Sequence, residues 1–252
     1  MTLIVNEIHL LDGLQDTMLV AAADRRVSKR DGSYHSTRRK LFSIPYLRGT
    51  ISYFGLAAVY PRGRESYLSD WLPSFINRHA SASNLQVFSE SLWQELNTIV
   101  PARVLRNSPS GFHIMGYTAN GYPDFWFLSN IGGLEQFRYV DLRSEYAPPS
   151  SHFLGRDAQS EWGWDGVSPK LAKNGIHTYR NGDFKAHAVA WDLLDGIYLR
   201  LLQFPDFRPP RTPAEYAEYI KVKFEVISYI YSKLADKKII ARPIDVLVLT
   251  SD

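Results

Sequence analysis

The spacing of apolar residues switches several times along the chain, and the order of these switches limits the folds that it can adopt. Short apolar or alternating runs typical of strands cover 3–11, 17–23, 40–45, 49–55, 112–115, 125–128, 137–142 and 243–250. Apolar residues at helical spacing cover 66–79, 83–100, 191–202 and 212–237. Strands, two helices, strands, two helices and a final strand predict an α+β fold, with two antiparallel sheets between pairs of helices.

One long segment shows neither pattern. Residues 143–190 are rich in Gly, Pro, Ser and isolated aromatics, without a sustained period. Loops of this length are uncommon inside compact domains, so we expect a functional insertion here. The rest of the chain has no linker or internal repeat, and 252 residues are enough for one large core. We therefore predict a single domain over 1–252.

The composition argues against several classes of function. The chain has no cysteine, which excludes disulfides and thiolate metal sites, and its seven histidines lack the spacing of metal ligands. A net charge of +3 from 29 basic and 26 acidic residues is too balanced to favour nucleic-acid binding. No apolar run approaches the roughly 18 residues of a membrane helix, and the N-terminus lacks the pattern of a signal peptide. We expect a cytoplasmic protein with no metal or other cofactor.

Three residues near the N-terminus form a candidate catalytic group. Thr2 is small and follows Met1, so we expect removal of Met1 to free the α-amine of Thr2. An amine with a pKa of about 7.7–8.0 can act as the base that a neighbouring hydroxyl nucleophile needs. Asp24 ends the apolar run 17–23, and Lys40 opens the next pair of strands. The ammonium of Lys40 would lower the pKa of the hydroxyl, and Asp24 would hold that ammonium by a charge-assisted hydrogen bond.

The N-terminal third resembles the β-type subunits of proteasomes. Besides a threonine at the mature N-terminus, the matching stretches are Leu19-Val20-Ala21-Ala22-Ala23-Asp24-Arg25-Arg26-Val27-Ser28, Lys40-Leu41-Phe42-Ser43-Ile44 and Ile51-Ser52-Tyr53-Phe54-Gly55-Leu56-Ala57. The C-terminal strand Pro243-Ile244-Asp245-Val246-Leu247-Val248 also resembles the family. Within the family, the resemblance is to the betaproteobacterial proteasome homologue, a self-assembling bacterial relative.

The resemblance implies the four-layer αββα sandwich of the N-terminal-nucleophile hydrolases and a role for each matching residue. Thr2 would be the nucleophile, with its own amine as base, and Asp24 and Lys40 would complete the triad. The backbone N–H of Gly55 would stabilise the oxyanion of the reacting carbonyl. The reaction would be hydrolysis of peptide bonds through an acyl-enzyme ester on Thr2.

The residues that support the nucleophile in this family match less well. The family has a glycine-flanked serine before its third helix, and the nearest candidates here are Ser150, Ser151 and the stretch Gly155-Arg156-Asp157. The family also has an aspartate followed by Ser-Gly-Gly after its fourth helix. Asp236 stands at about that place and is the candidate for this supporting role, although Lys237 and Lys238 follow it.

The resemblance also implies partners. Subunits would self-associate into stacked rings, heptameric by preference with hexamers as the alternative, around a chamber that admits peptides or unfolded proteins. Phe54 and Ala57 would flank the specificity pocket. The chain has no Walker A sequence, so any ATP-driven step would need a separate ATPase or activator. Two other functions stay open, namely an N-terminal-nucleophile amidase of a small amide and a ring-forming chamber that has lost catalysis.

Overall fold

The computed structural model describes residues 2–11, 16–29, 31–135, 138–151 and 176–251. In chain order the strands are β1 (Leu3–Leu10), β2 (Thr17–Asp24), β3 (Arg26–Ser28), β4 (Tyr34–Thr37), β5 (Leu41–Ile44), β6 (Gly49–Phe54), β7 (Ala58–Val59), β8 (Ser66–Tyr67), β9 (Gly111–Tyr117), β10 (Pro123–Ser129), β11 (Ile131–Glu135), β12 (Arg138–Leu142), β13 (Ser150–Ser151), β14 (Ile176–Gly182) and β15 (Ile244–Thr250). The α-helices are α1 (Leu68–Arg78), α2 (Leu85–Ile99), α3 (Ala102–Leu105), α4 (Trp191–Leu201) and α5 (Pro213–Leu234).

Two antiparallel sheets form the centre of the molecule. The first has the strand order β14-β1-β2-β15, and the second has the order β13-β10-β9-β6-β5. Among the described residues, three two-stranded ribbons accompany them, which are β3–β4, β7–β8 and β11–β12. β1 and β2 lie in the middle of the first sheet and are buried along their whole length. This explains their nearly continuous apolar runs, because a strand covered on both faces needs apolar residues at every position.

Three apolar cores of described residues fill the spaces between these elements. In the first core, Ile4 and Leu19 from one sheet contact Phe54 and neighbouring apolar residues from the other. The second core joins the outer face of the first sheet to α4 and α5, and the third joins the second sheet to α1 and α2. The described residues therefore form a mixed α and β fold, in agreement with the predicted α+β class. Among these residues, no helix is long and apolar enough to cross a membrane.

The last part of the predicted insertion contains regular structure. Within 143–190, residues Ile176–Gly182 form β14, which pairs with β1 at the edge of the first sheet. A π-helical turn at Ala186–Ala190 then leads directly into α4. β14 lies at an edge of the sheet and has no apolar run, and its Tyr179 makes a contact between the sheets by stacking on Phe125 at 3.8 Å.

Candidate functional site

The pairing of β1 with β2 brings Thr2 beside Asp24. The two strands are antiparallel and Ile4 lies opposite Ala23, so the start of β1 lies next to the end of β2. The backbone N–H of Leu3 donates a hydrogen bond of 2.9 Å to Oδ1 of Asp24, and the hydroxyl of Thr2 donates to the same oxygen. The register of one hairpin thus creates the contact between the candidate nucleophile and the carboxylate.

Asp24 is fully buried and accepts hydrogen bonds on both carboxylate oxygens. Its Oδ2 accepts from the N–H of Arg26 at 3.0 Å, and its Oδ1 accepts from Thr2, Leu3 and Lys40. A buried carboxylate is stable only when such donors replace its water. These bonds fix the carboxylate in one orientation, as a site that must hold a cation in place requires.

Lys40 reaches the same point from the second sheet. It directly precedes β5, where its carbonyl accepts from the N–H of Tyr53 at 3.2 Å. Its Nζ donates to Oγ1 of Thr2, to Oδ1 of Asp24 at 3.3 Å and to the carbonyl oxygen of Arg26. Burial lowers the pKa of Lys40 below its ordinary value, while the Asp24 carboxylate opposes that shift. The site therefore places the Nζ of Lys40 against the hydroxyl of Thr2, beside a carboxylate that favours the protonated form of the lysine.

The three side chains meet at a small open cleft of about 50 Å³. Thr2, Lys40, Gly55 and Ala57 line it, and Asp24 lies beneath them. The structure thus brings together the residues predicted for the triad, the oxyanion donor and one wall of the specificity pocket. Their catalytic roles stay predictions.

Phe54, the other residue predicted to flank the pocket, is not among the residues that line this cleft. It is buried between the two sheets and packs against Tyr139 with ring centres 5.9 Å apart. Phe54 is the last residue of β6, and its side chain belongs to the core between the sheets, whereas the next residue, Gly55, leaves the strand and reaches the cleft.

Gly55 can be replaced by no other residue without moving the backbone. Its φ of +80° is unfavourable for residues with a side chain, and a Cβ built on it would lie 1.8 Å from the carbonyl oxygen of Pro109. The chain can therefore pass from β6 along the cleft only with glycine here.

A second glycine, which the sequence did not single out, holds the backbone of Thr2. The N–H of Asp183 donates to the carbonyl of Thr2 at 2.8 Å, and a Cβ on Gly182 would lie 1.8 Å from that same carbonyl oxygen. Oδ1 of Asp183 also accepts from the N–H of Ala186 at 3.1 Å, as a helix-capping residue does. The signal in the sequence was the pair Gly182-Asp183 directly before a helical segment, which is typical of a turn followed by a cap.

The residues predicted to support the nucleophile lie elsewhere. Asp236 is exposed in the loop after α5, whereas Thr2 is only 2% exposed, and no hydrogen bond joins Asp236 to Thr2, Asp24 or Lys40. Ser150 and Ser151 form β13 at the far edge of the second sheet, where they pair with β10. Gly155-Arg156-Asp157 lies outside the described residues. In the described part of the chain, the support of Thr2 comes from Gly182 and Asp183.

The arrangement suits nucleophilic chemistry by a hydroxyl group. The oxygen of Thr2 accepts a hydrogen bond from the ammonium of Lys40, which would stabilise negative charge that forms on this oxygen. The carboxylate of Asp24 accepts a hydrogen bond from the same hydroxyl and thereby orients it. The described residues contain no group of three His, Cys, Asp or Glu side chains that could hold a metal ion.

Comparison with known proteins adds no family to this description. No protein-family model matches the sequence, and a search of curated proteins finds no match.

Proposed function

We propose that this chain is a threonine-type hydrolase of the N-terminal-nucleophile class that cleaves peptide bonds. The observation that supports it most is the hydrogen bond from the Lys40 ammonium to Oγ1 of Thr2, with Asp24 holding both groups. Removal of Met1 is a condition of the proposal, because only then is the nitrogen of Thr2 a free amine that can accept a proton. Gly55 at the same cleft is the proposed oxyanion donor.

In the first half of the proposed reaction, Oγ1 of Thr2 attacks the carbonyl carbon of the substrate. The hydroxyl proton passes to the α-amine of Thr2, and the ammonium of Lys40 stabilises the charge that develops on Oγ1. The carbonyl oxygen becomes an oxyanion that accepts a hydrogen bond from the N–H of Gly55. The C–N bond then breaks, and the proton held by the amine passes to the leaving nitrogen, so that an ester on Thr2 and a free amine product result.

In the second half, water attacks the ester. The α-amine of Thr2 takes a proton from this water, and the same proton returns to Oγ1 as the C–O bond of the ester breaks. The products are a carboxylic acid and the original hydroxyl, so the protons balance without a cofactor. The bond from Asp183 N–H to the carbonyl of Thr2 supports this mechanism, because it fixes the residue that must act as both nucleophile and base.

The proposal extends to the architecture and the assembly. Helices on the outer face of each sheet and an apolar core between the sheets support a four-layer αββα sandwich of the N-terminal-nucleophile type. We further propose that copies of the chain associate into stacked rings, with peptides or unfolded proteins as substrates and a separate ATPase or activator as a partner.

The test is covalent labelling followed by intact-mass measurement. We expect the purified protein to lack Met1 and to gain one adduct with a peptide epoxyketone, which reacts with N-terminal threonine. Thr2→Ala should abolish both the adduct and peptide hydrolysis, whereas Thr2→Ser should keep both. Lys40→Met, which removes the charge at similar length, should slow labelling by at least about 100-fold, the lower range for loss of a catalytic proton-transfer or charge-stabilising group.

The outcomes separate the proposal from its rivals. Hydrolysis that persists in Thr2→Ala would show that Thr2 is not the nucleophile. Retention of Met1 with no adduct would favour a chamber without catalysis. Labelling with turnover of a small acyl amide, but none of an unfolded protein such as casein, would favour the amidase. Circular dichroism of each variant checks that the fold is retained.

A further inference from the structure

We infer that the cleft at Thr2 selects substrates that carry an acidic side chain on the acyl side of the bond to be cleaved. This inference rests on the proposed hydrolase function and adds a substrate class to it. It depends on two arginines at the cleft, Arg26 and Arg38, which the proposed reaction does not use.

The first argument is the charge around the cleft. Arg26, Arg38 and Lys40 line it, and no aspartate or glutamate is among the described residues that do so. Asp24, which lies beneath, already accepts hydrogen bonds from four groups, so its charge is committed to Lys40 and the backbone. Clefts lined by charge of one sign attract ligands of the opposite sign.

The second argument is that Arg38 is poorly neutralised. Its ion-pair partner is Asp70 at 3.5 Å, whose side chain is 56% exposed, so the pair is weak and screened by water. The guanidinium stacks on the ring of Tyr67 at 3.8 Å, which orients it without neutralising it. Its Nε is buried and has no acceptor among the described residues. The guanidinium therefore makes few hydrogen bonds within the protein, and the part of it that is exposed can donate to a carboxylate of a substrate.

The third argument compares Arg26 with its neighbour. Arg25 donates to both oxygens of the Asp245 carboxylate, with 2.8 Å between Nε and Oδ2. Arg26 donates from Nε to the hydroxyl of Ser28 at 3.1 Å and has no carboxylate partner in the described part of the chain. Of two adjacent arginines, the one at the cleft is therefore the one that keeps its charge available.

Guanidinium groups favour carboxylates through paired hydrogen bonds, and they repel lysine and arginine side chains. Two such groups beside the scissile bond should therefore raise kcat/KM for acidic substrates above that for neutral ones, and basic substrates should be poorest.

The test uses peptides that differ at one position. Glu, Gln or Lys is placed in turn at each of the three positions on the acyl side of the bond, and kcat/KM is measured. At one position at least, we expect Glu to exceed Gln by about tenfold, the value of one hydrogen bond between charged groups. Arg38→Gln or Arg26→Gln should reduce this ratio toward one. Arg39→Gln is the matched control, because Arg39 carries the same charge next to Arg38 but does not line the cleft.

A binding measurement separates this inference from the proposed hydrolysis. Fluorescence anisotropy with Thr2→Ala protein reports whether the Glu peptide binds more tightly than the Gln peptide when no ester can form. Equal binding, or a preference that Arg38→Gln and Arg26→Gln both leave intact, overturns the inference even if hydrolysis is present. Tighter binding of the Glu peptide supports it even if no peptide is turned over, a result that counts against the hydrolase alone.

Discussion

At the scale of single residues, the site depends on Gly182, where only a residue without a side chain fits. Gly182 has a φ of +116°, and its Cα faces the carbonyl oxygen of Thr2 so closely that a Cβ would lie 1.8 Å from it. A methyl group there would push away the backbone of the proposed nucleophile. The position of Thr2 therefore depends on a glycine at the end of β14, the strand that pairs with β1.

We predict that Gly182→Ala destabilises the protein by about 3 kcal/mol, because it adds both backbone strain and a clash with a carbonyl group. It should also slow labelling of Thr2 by an electrophile. Urea unfolding and labelling rates measure the two effects.

The matched control is Gly196→Ala. Gly196 lies inside α4, and a Cβ there meets nothing within 4 Å. Since alanine favours the helical conformation over glycine, we expect this variant to be more stable by about 0.5–1 kcal/mol. Equal effects of the two substitutions would contradict the role given to Gly182.

At the scale of elements, a buried ionic cluster joins β1 to both helices on its outer face. Lys223 of α5 donates to Oε1 of Glu7 at 2.8 Å and to Asp195 of α4 at 2.7 Å. His9 contacts the second oxygen of Glu7 at 2.8 Å, and Tyr219 bonds to both Lys223 and Asp195. Because Thr2 directly precedes β1, this cluster also anchors the strand next to the site.

The charge state of Glu7 makes this anchor sensitive to acid. Burial by itself would raise the pKa of Glu7, but the charge of Lys223 and the hydrogen bonds from His9 and Lys223 lower it to about 2 from its ordinary 4.5. A carboxylate with a lowered pKa stabilises the folded state fully above about pH 4.5, and this contribution is lost as the pH falls toward 2. This shift in the pKa of Glu7 corresponds to a contribution of about 3 kcal/mol to the free energy of unfolding.

We predict that Glu7→Gln lowers the free energy of unfolding at pH 7 by about 3 kcal/mol, because Lys223 loses one buried partner. Between pH 4.5 and 2, the free energy of unfolding should also fall less in this variant than in the wild type. Urea unfolding across this pH range tests both statements.

Glu218→Gln is the control, because Glu218 pairs with Lys221 on the exposed face of the same helix that carries Lys223. Exposed ion pairs contribute little to stability, so we expect the free energy of unfolding to change by less than about 1 kcal/mol. A loss at Glu218 as large as that at Glu7 would argue against the anchoring role of the cluster.

At the scale of the whole molecule, α4 and α5 expose an apolar surface on the side away from the sheets. Leu193 and Ile197 of α4 are 64% and 56% exposed, and Val222, Val226 and Tyr229 of α5 add exposed apolar area at helical spacing. Several exposed apolar residues on two packed helices suit an interface with another protein. We propose that a second copy of the chain covers this surface in the stacked rings, and that the contact between two rings, which is two-fold, lets each copy present the same surface.

We predict that a variant combining Leu193→Glu with Val226→Glu assembles less than the wild type, because association would bury the new charges. Sedimentation velocity should show a shift from large assemblies to smaller species. The control is Leu134→Glu, since Leu134 is 51% exposed but lies on β11, far along the chain from both helices. A wild-type protein that sediments as a monomer would refute the proposed self-association.

Much of this organisation follows from the sequence alone. Helices predicted at 66–79 and 212–237 occur as α1 (Leu68–Arg78) and α5, and the hydroxyl of Thr212 caps α5 by accepting from the N–H of Glu215 at 3.2 Å. The proximity of Thr2, Asp24 and Lys40 also agrees with the prediction. The helices and the cap depend on local patterns, such as turn and cap residues and the period of apolar residues, which a sequence displays directly. The proximity of the three site residues was predicted instead from their spacing together with the resemblance to proteasome subunits.

Only the tertiary structure decided the remaining features. β14 lacks an apolar run, so its pairing with β1 becomes visible only in the assembled sheet. Gly182 matters because of a carbonyl that is close in space and distant in the chain, and Arg26 differs from Arg25 only because Asp245 reaches one of them. Contacts between distant segments depend on the register and packing of whole elements, and the properties of neighbouring residues do not contain that information.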